Sequence, residues 1–428
     1  MTRVHKNDRD LHRVSDTTTP MWIRVALLTA YLRASCVRPE QMARDQRHES
    51  DKYTTYYDTS ALAVRAPLRT TVDVLRKVTS QMKACRVYEF GGPDRLRIEE
   101  VPRPEIGPED VLVRLRAAGL NRADILVREG RFAELSKQQP LPITPGVEGA
   151  GDIVEIGSAV SSRRVGQRVA LLPMLTCGAC AGCTAGDLST CADLTIIGEH
   201  TDGTYAEYIA VPARNAIPIP DTLTYEESAA SIVAYMTAWH MLKSRGELTA
   251  AETILVVGAG SGMGSAAVQV ARALGAEVIA TTSTEAKADQ LRAIGAKEVI
   301  NYRDHPAFSS RVRELTGGTG VDLVHDTVGG ATMQESIHSL RHGGRLVAMG
   351  SHSGRTAEIN LVSIHRNEID VRGSHTATHR DIEEMMPALA DGSLVPVIDS
   401  SFSLEAAASA QQRLVHEDRF GKVVLTIG

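Results

Sequence analysis

Residues 253–274 read TILVVGAGSGMGSAAVQVARAL. Ile254, Leu255, Val256 and Val257 form a short apolar run, as expected of a strand buried on both faces. A glycine-rich turn follows at once, from Gly258 through Ala259, Gly260, Ser261, Gly262, Met263 and Gly264. Ala267, Val270, Ala271 and Leu274 then recur at helical spacing, and Gly275 stands where a helix would stop. Such a turn lets backbone N–H groups approach a pyrophosphate, with the positive end of a helix behind them. The match to G-x-G-x-x-G is imperfect: read from Gly258 its last position is Met263, and read from Gly260 it is Ser265. The downstream chain strengthens the reading. Strands are expected at Glu277–Thr282, Glu298–Ile300, Val321–Asp326 and Arg345–Met349, with helical patterns between. That alternation predicts an α/β, doubly wound parallel sheet that binds a dinucleotide.

The chain of 428 residues is long enough for two or three domains, and its 43 % hydrophobic and 23 % charged composition is that of a globular protein. A net charge of −5 argues against nucleic acid as a partner. No apolar run is long enough to span a bilayer. Four of the six cysteines fall between Cys177 and Cys191, which suggests a metal site in place of a disulfide framework and, with it, a cytoplasmic protein.

Residues 1–81 differ from the rest. They carry 14 Lys/Arg against 9 Asp/Glu, and the first glycine of the chain is Gly91. The apolar patch Val25–Leu32 only loosely resembles a secretory core. The expectation is a disordered extension, or sequence translated from too early a start, with Met82 as the functional beginning; a targeting or regulatory arm is the other reading. From Met82 short strands are expected at Lys83–Phe90, Leu96–Val101, around Val111–Leu115, and at Gly146–Ile156 and Arg168–Leu172, with Gly119–Gly130 leading into a helix. This part is mostly β.

Cys177, Cys180, Cys183 and Cys191 make C-x2-C-x2-C-x7-C. Four thiolates close a tetrahedral zinc shell and leave no position for a substrate, so such a zinc would be structural. Reduced thiols in a surface loop, or an iron–sulfur cluster, are other uses of the same residues.

Together these stretches resemble the medium-chain dehydrogenase/reductases, in particular their zinc-binding, quinone-oxidoreductase-like branch. The resemblance is carried by MKACRVYEFGGPDRLRIEEVP, AAGLNRAD, PGVEGAG, the four-cysteine lobe, GTYAEY, AYMTAWH, AGSGMG and FGKVVL. It implies a GroES-like catalytic domain (82–230, zinc lobe 173–195), a Rossmann cofactor domain inserted in it (231–372) and a C-terminal return to the catalytic domain (373–428). It also implies a homodimer. Alcohol dehydrogenases of this family hold a second, catalytic zinc. Here the first ligand position is Asn121, the histidine of the PGHE-type motif is Val147, and no Cys or His lies at Ile232–Tyr235. The Lewis acid needed to ionise an alcohol therefore lacks its ligands.

The second strand ends at Thr281-Thr282-Ser283 with no carboxylate to hold a ribose hydroxyl pair. Glu285 is nearby, but Thr282 and Glu285 have capping-box spacing. Lys287 and Tyr302 stand where NADPH-dependent family members meet the 2′-phosphate, although Lys287 could equally be a solvated helix residue. Ser283, Val328, Gly350 and Ser351 complete the expected cofactor contacts. Asn121 and Tyr205 look like cleft-lining polar groups and Thr237 resembles the family threonine placed near the nicotinamide, a purely structural role being the other reading of each; His240 is expected to be a packing or surface histidine. The function expected is NADPH-dependent hydride transfer to a quinone or α,β-unsaturated carbonyl, its proton coming from water or Tyr205. The alternatives are an alcohol dehydrogenase that recruits metal unconventionally and a non-catalytic NADPH-binding sensor.

Overall fold

The computed structural model describes residues 81–131 and 140–428. The expected extension 1–81 lies outside this range except for Gln81, as does most of the loop between Arg131 and Pro142. Strands β1 (Gln81–Arg86) and β2 (Arg97–Pro102) form an antiparallel hairpin. β3 (Asp110–Gly119) is the spine of the catalytic domain, and helix α1 (Arg122–Arg128) follows it directly. β4 (Glu148–Ile156), β5 (Arg168–Leu171), β8 (Tyr208–Pro212) and β9 (Ala216–Pro218) join it in one sheet. The small hairpin of β6 (Met174–Leu175) and β7 (Thr195–Ile196) brackets the four cysteines.

Helix α2 (Tyr225–Trp239) opens on a capping box, in which Thr224 and Glu227 satisfy each other's backbone N–H groups. It runs through residue 230, where the domain boundary was expected. Its buried Ala229, Ala230, Ala234 and Ala238 share one continuous core with Ala117 and Ala150 of the catalytic sheet and with Ile254 and Val256 beyond. Small side chains let the backbones of the two domains approach closely, and this shared core sets the walls of the cleft between them.

The parallel strands β10 (Thr253–Val257), β11 (Glu277–Thr282), β12 (Glu298–Asn301), β13 (Val321–Asp326), β14 (Leu340–Ala348) and β15 (Asp370–Gly373) lie in the order β12-β11-β10-β13-β14-β15. This is the doubly wound order, with its switch point between β10 and β13. The sixth strand was not expected. Helices α3 (Gly262–Ala273), α4 (Glu285–Ala293), α5 (Phe308–Leu315), α6 (Met333–His338) and α7 (Leu361–Arg366) are interleaved with the strands. After α8 (His379–Ala390), β16 (Ile398–Ser403), α9 (Ala407–Leu414) and β17 (Lys422–Thr426) complete the catalytic sheet, β17 pairing antiparallel with β3.

The expected capping box at Thr282 and Glu285 does not form. Thr282 pairs with Asn301 inside the sheet, and Thr284 caps α4 by accepting from the Lys287 N–H. A threonine held in a strand cannot also take the extended-to-helix corner that a cap needs.

Candidate active site

The glycine turn sits at the switch point as its sequence implies. Ser261 caps α3, its hydroxyl accepting from the Gly264 N–H at 3.0 Å. Gly258 adopts φ +70, and a Cβ at Gly264 would stand 2.5 Å from Ala259 Cα. One glycine is therefore needed for the turn and the other for the close packing of helix on strand. Ser261, Gly262 and Met263 line a cleft of about 1270 Å³ between the domains, together with Gly350 and Ser351 at the end of the fifth strand. Ala259, Gly264 and Val328 are not in its wall: Ala259 belongs to the core, and Val328 packs over Gly258.

Across the cleft stand Asn121, Val147 and Thr237. Gly119 and Glu148 are register partners on β3 and β4, and β17 lies on the other side of β3. This topology brings Asn121, Glu148 and Lys422 together. The Lys422 ammonium donates to Leu120 O at 2.7 Å, Asn121 Oδ1 at 2.9 Å and Glu148 Oε1. Asn121 Nδ2 donates to the same Glu148 oxygen at 2.7 Å, and the Val233 N–H donates to the other carboxylate oxygen at 2.7 Å. Glu148 is fully buried and Lys422 is 4 % exposed. A buried cation thus stands beside the first presumed zinc-ligand position. Lys422 was within a quoted stretch but had no assigned role; nothing local marks it.

Tyr205 does not join this group. It is fully buried, it is not among the residues lining the cleft, and its hydroxyl donates to Asp124 Oδ2 at 3.0 Å. Burial and the neighbouring Asp124 charge push its phenol well above the usual range. Its expected role as a cleft-lining proton source is therefore corrected to a packing role beneath α1. His240 is buried too, held by Asp381 at 2.8 Å, in keeping with a packing histidine.

A second cavity, of about 240 Å³, lies where the adenosine half of a dinucleotide would end. Thr282, Ser283, Lys287 and Tyr302 line it, and so do Arg303 and Arg419, which sequence reasoning missed. The Lys287 ammonium donates to Glu417 O, and Arg303 pairs with the Glu417 carboxylate at 2.8 Å. Burial and then the Arg419 charge lower the Lys287 pKa. Like charges crowded in this way favour an anion among them.

The four cysteines converge. Their sulfurs all lie within 4.8 Å of one another, with separations of 3.5 Å for Cys180–Cys183, 3.8 Å for Cys177–Cys183 and 3.7 Å for Cys191–Cys177. Tetrahedral zinc with ~2.3 Å bonds spaces its sulfurs roughly 3.8 Å apart, so the donor set fits that metal. Among the described residues, this is the one group of three or more Cys, His, Asp or Glu side chains able to hold an ion.

A parallel dinucleotide sheet set into a GroES-like domain, with a largely apolar cleft carrying a few polar groups between them, defines a nicotinamide-type oxidoreductase framework. A family model described as alcohol dehydrogenase GroES-like domain matches residues 107–221, and one described as zinc-binding dehydrogenase matches residues 262–391. The quinone oxidoreductase of Homo sapiens is 30 % identical over 356 residues, covering 81 % of this chain and 98 % of that protein. An alcohol dehydrogenase of Geobacillus stearothermophilus is 32 % identical, covering 81 % and 100 %. The solved structure of an NAD-dependent alcohol dehydrogenase superposes with a TM-score of 0.77 at 36 % identity, covering 81 % and 100 %. The chain belongs to the medium-chain dehydrogenase/reductase superfamily and is an oxidoreductase of that type. No helix among the described residues is long and apolar enough to cross a membrane.

Proposed function

We propose that this protein is an NADPH-dependent reductase that passes hydride to a quinone or an α,β-unsaturated carbonyl, with one structural zinc in the cysteine lobe. The observation that carries the reading is the cluster of Asn121, Glu148 and Lys422, with Val147 beside it, where alcohol dehydrogenases of this family hold their catalytic zinc. An amide, an isopropyl group and a lysine already paired to a glutamate are poor ligands for a metal that must ionise an alcohol. A conjugated acceptor needs no such metal, because its π-system carries the incoming electron pair onto oxygen. NADPH, when bound, supplies the hydride. The chain's part is to hold the acceptor and to offer hydrogen bonds from Asn121 and Thr237 to its oxygen. The turn Gly258–Gly264 and the start of α3 suit the pyrophosphate, and Lys287, Arg303 and Arg419 suit a 2′-phosphate. The likeness to alcohol dehydrogenases supports the other reading, a metal-dependent dehydrogenase. A homodimer, implied by the family, has an available edge in β15, where Val371 is exposed.

The purified protein is expected to consume NADPH with 1,4-benzoquinone or an α,β-unsaturated ketone and to leave ethanol and 2-propanol unoxidised with NADP. A charge-assisted contact is worth ~1.5–3 kcal/mol, so Lys287→Ala should weaken NADPH about tenfold or more while NADH binding hardly changes. Alcohol oxidation that a chelator abolishes and zinc restores would overturn the reading.

Elemental analysis should find one zinc per chain. Because metal binding is coupled to folding of such a lobe, Cys180→Ser should release it and lower the melting temperature. Two zincs per chain, or iron, would refute the assignment.

A further inference from the structure

Glu199 lies on the tight turn that follows β7. Its backbone is pinned: the Glu199 and His200 N–H groups both donate to Ile196 O, at 3.2 and 2.9 Å, and Gly198 N–H donates to Thr201 O at 2.9 Å. The side chain takes no part in holding this turn. It is only 4 % exposed, it lines the main cleft with Asn121 and Thr237, and its Oε2 is sealed from solvent with no hydrogen-bond partner. A buried carboxyl with one oxygen sealed and undonated supports a negative charge poorly, which favours the protonated form.

A second buried carboxyl stands near it. Asp124, fully buried on α1, receives the Asn121 N–H at 2.8 Å and the Tyr205 hydroxyl at 3.0 Å on Oδ2, but its Oδ1 has no partner and burial pushes its carboxyl up to about 7. Asp124 is not among the residues lining the cleft, whereas Glu199 is. Titratable and charged groups at this end of the site are Asp124 and Arg122 on α1, Glu148 on β4, Lys422 on β17, His200 on the same turn, and Tyr205. Of these, Asp124 is the charge that bears on Glu199, and burial together with that charge pushes the Glu199 carboxyl up to about 8. Of the two raised carboxyls, Glu199 is the one that reaches the cleft, so it is the one placed to give its proton to a substrate.

We propose that Glu199 is the general acid of enone reduction, delivering its proton to the substrate α-carbon; this rests on the reading of the cleft as an NADPH-linked reductase site. Once the β-carbon has received the hydride, the former C=C electron pair lies in an enolate. The α-carbon uses that pair to form a C–H bond as the Glu199 Oε–H bond breaks, and the carbonyl is restored. The carboxylate left behind regains a proton from water. A reduced quinone differs, because its oxygens exchange protons with water readily and need no positioned acid.

The test is Glu199→Gln, which keeps size and polarity but has no acidic proton. Infrared titration of the protein without cofactor should show a protonated carboxyl band that fades as pH rises through about 8 and that the variant lacks. Superimposable spectra would overturn the proposal. With an α,β-unsaturated ketone, NADPH and D2O, the unsubstituted protein should place deuterium on one face of the α-carbon, with a rate that declines as pH rises through the same range. The variant should place it on both faces, and its enone-to-quinone rate ratio should fall about 100-fold. An unchanged ratio with one-face deuteration, or equal losses with both substrates, would overturn Glu199 as donor and leave the reductase reading intact. An unsubstituted protein that reduces quinones but no enone would do the same. Failure to reduce either acceptor would overturn the reductase reading itself.

Discussion

Lys422→Met is expected to cost about 3–5 kcal/mol of folding stability, the range for removing one member of a buried ion pair. Methionine matches the length of the lysine stem but brings no cation. The Glu148 carboxylate, fully buried, would keep its donors from Asn121 and Val233 and lose its countercharge. Leu120 O and Asn121 Oδ1 would each lose the donor that Lys422 supplies. The double variant Lys422→Met/Glu148→Gln removes both charges and should recover more than half of the loss. Urea denaturation of the parent, both single variants and the double variant measures the coupling directly. A single variant within about 1 kcal/mol of the parent would show that this pair does not hold the cleft wall together. The same substitution should loosen Asn121, so turnover with a conjugated acceptor should fall along with stability.

His325→Val should change how stability depends on pH. His325 is fully buried near the C-terminal end of β13, in register with Val256 and Val347 on the flanking strands, and neither ring nitrogen has a hydrogen-bond partner. Burial lowers its pKa to about 4, against a smaller opposing pull from Asp326. The unfolded chain takes up this proton near pH 6.5, while the folded chain takes it up only near 4. Between those values the unfolded state binds more protons, so stability is intact above about 6.5 and is lost as pH falls, by roughly 3 kcal/mol at pH 4. Valine has nothing to titrate and suits a central parallel strand. The variant should be at least as stable as the parent at pH 7, since two orphaned polar atoms disappear. Its advantage should then widen by roughly 3 kcal/mol toward pH 4. Urea midpoints at pH 7, 5.5 and 4.5 that differ by a constant amount would show that this imidazole is not the titrating group.

What could be read directly from the chain was whatever the chain encodes locally. The run Ile254–Val257, the turn from Gly258 and the helical spacing after it are neighbours in sequence, so their periodicity shows the strand, the turn and the helix. The cysteine spacing is equally local, and it announces a ligand set whose sulfurs do converge. Where the structure differed, a distant partner decided. Strand β15 is four residues, DVRG, with no apolar alternation, and is a strand because β14 offers it a ladder. Thr282 has the spacing of a cap but is claimed by Asn301 across the sheet. Tyr205 looks like a cleft residue until Asp124 and the core enclose it. Lys422 meets Glu148 across 274 positions and Asn121 across 301. Arg303 and Arg419 reach one small pocket from separate loops, and Glu199 becomes a buried acid only in the assembled fold, beside Asp124 of α1. Local periodicity depends on backbone geometry that every segment carries with it. Which charge is buried, and beside which partner, is a property of the assembled core and has no local trace.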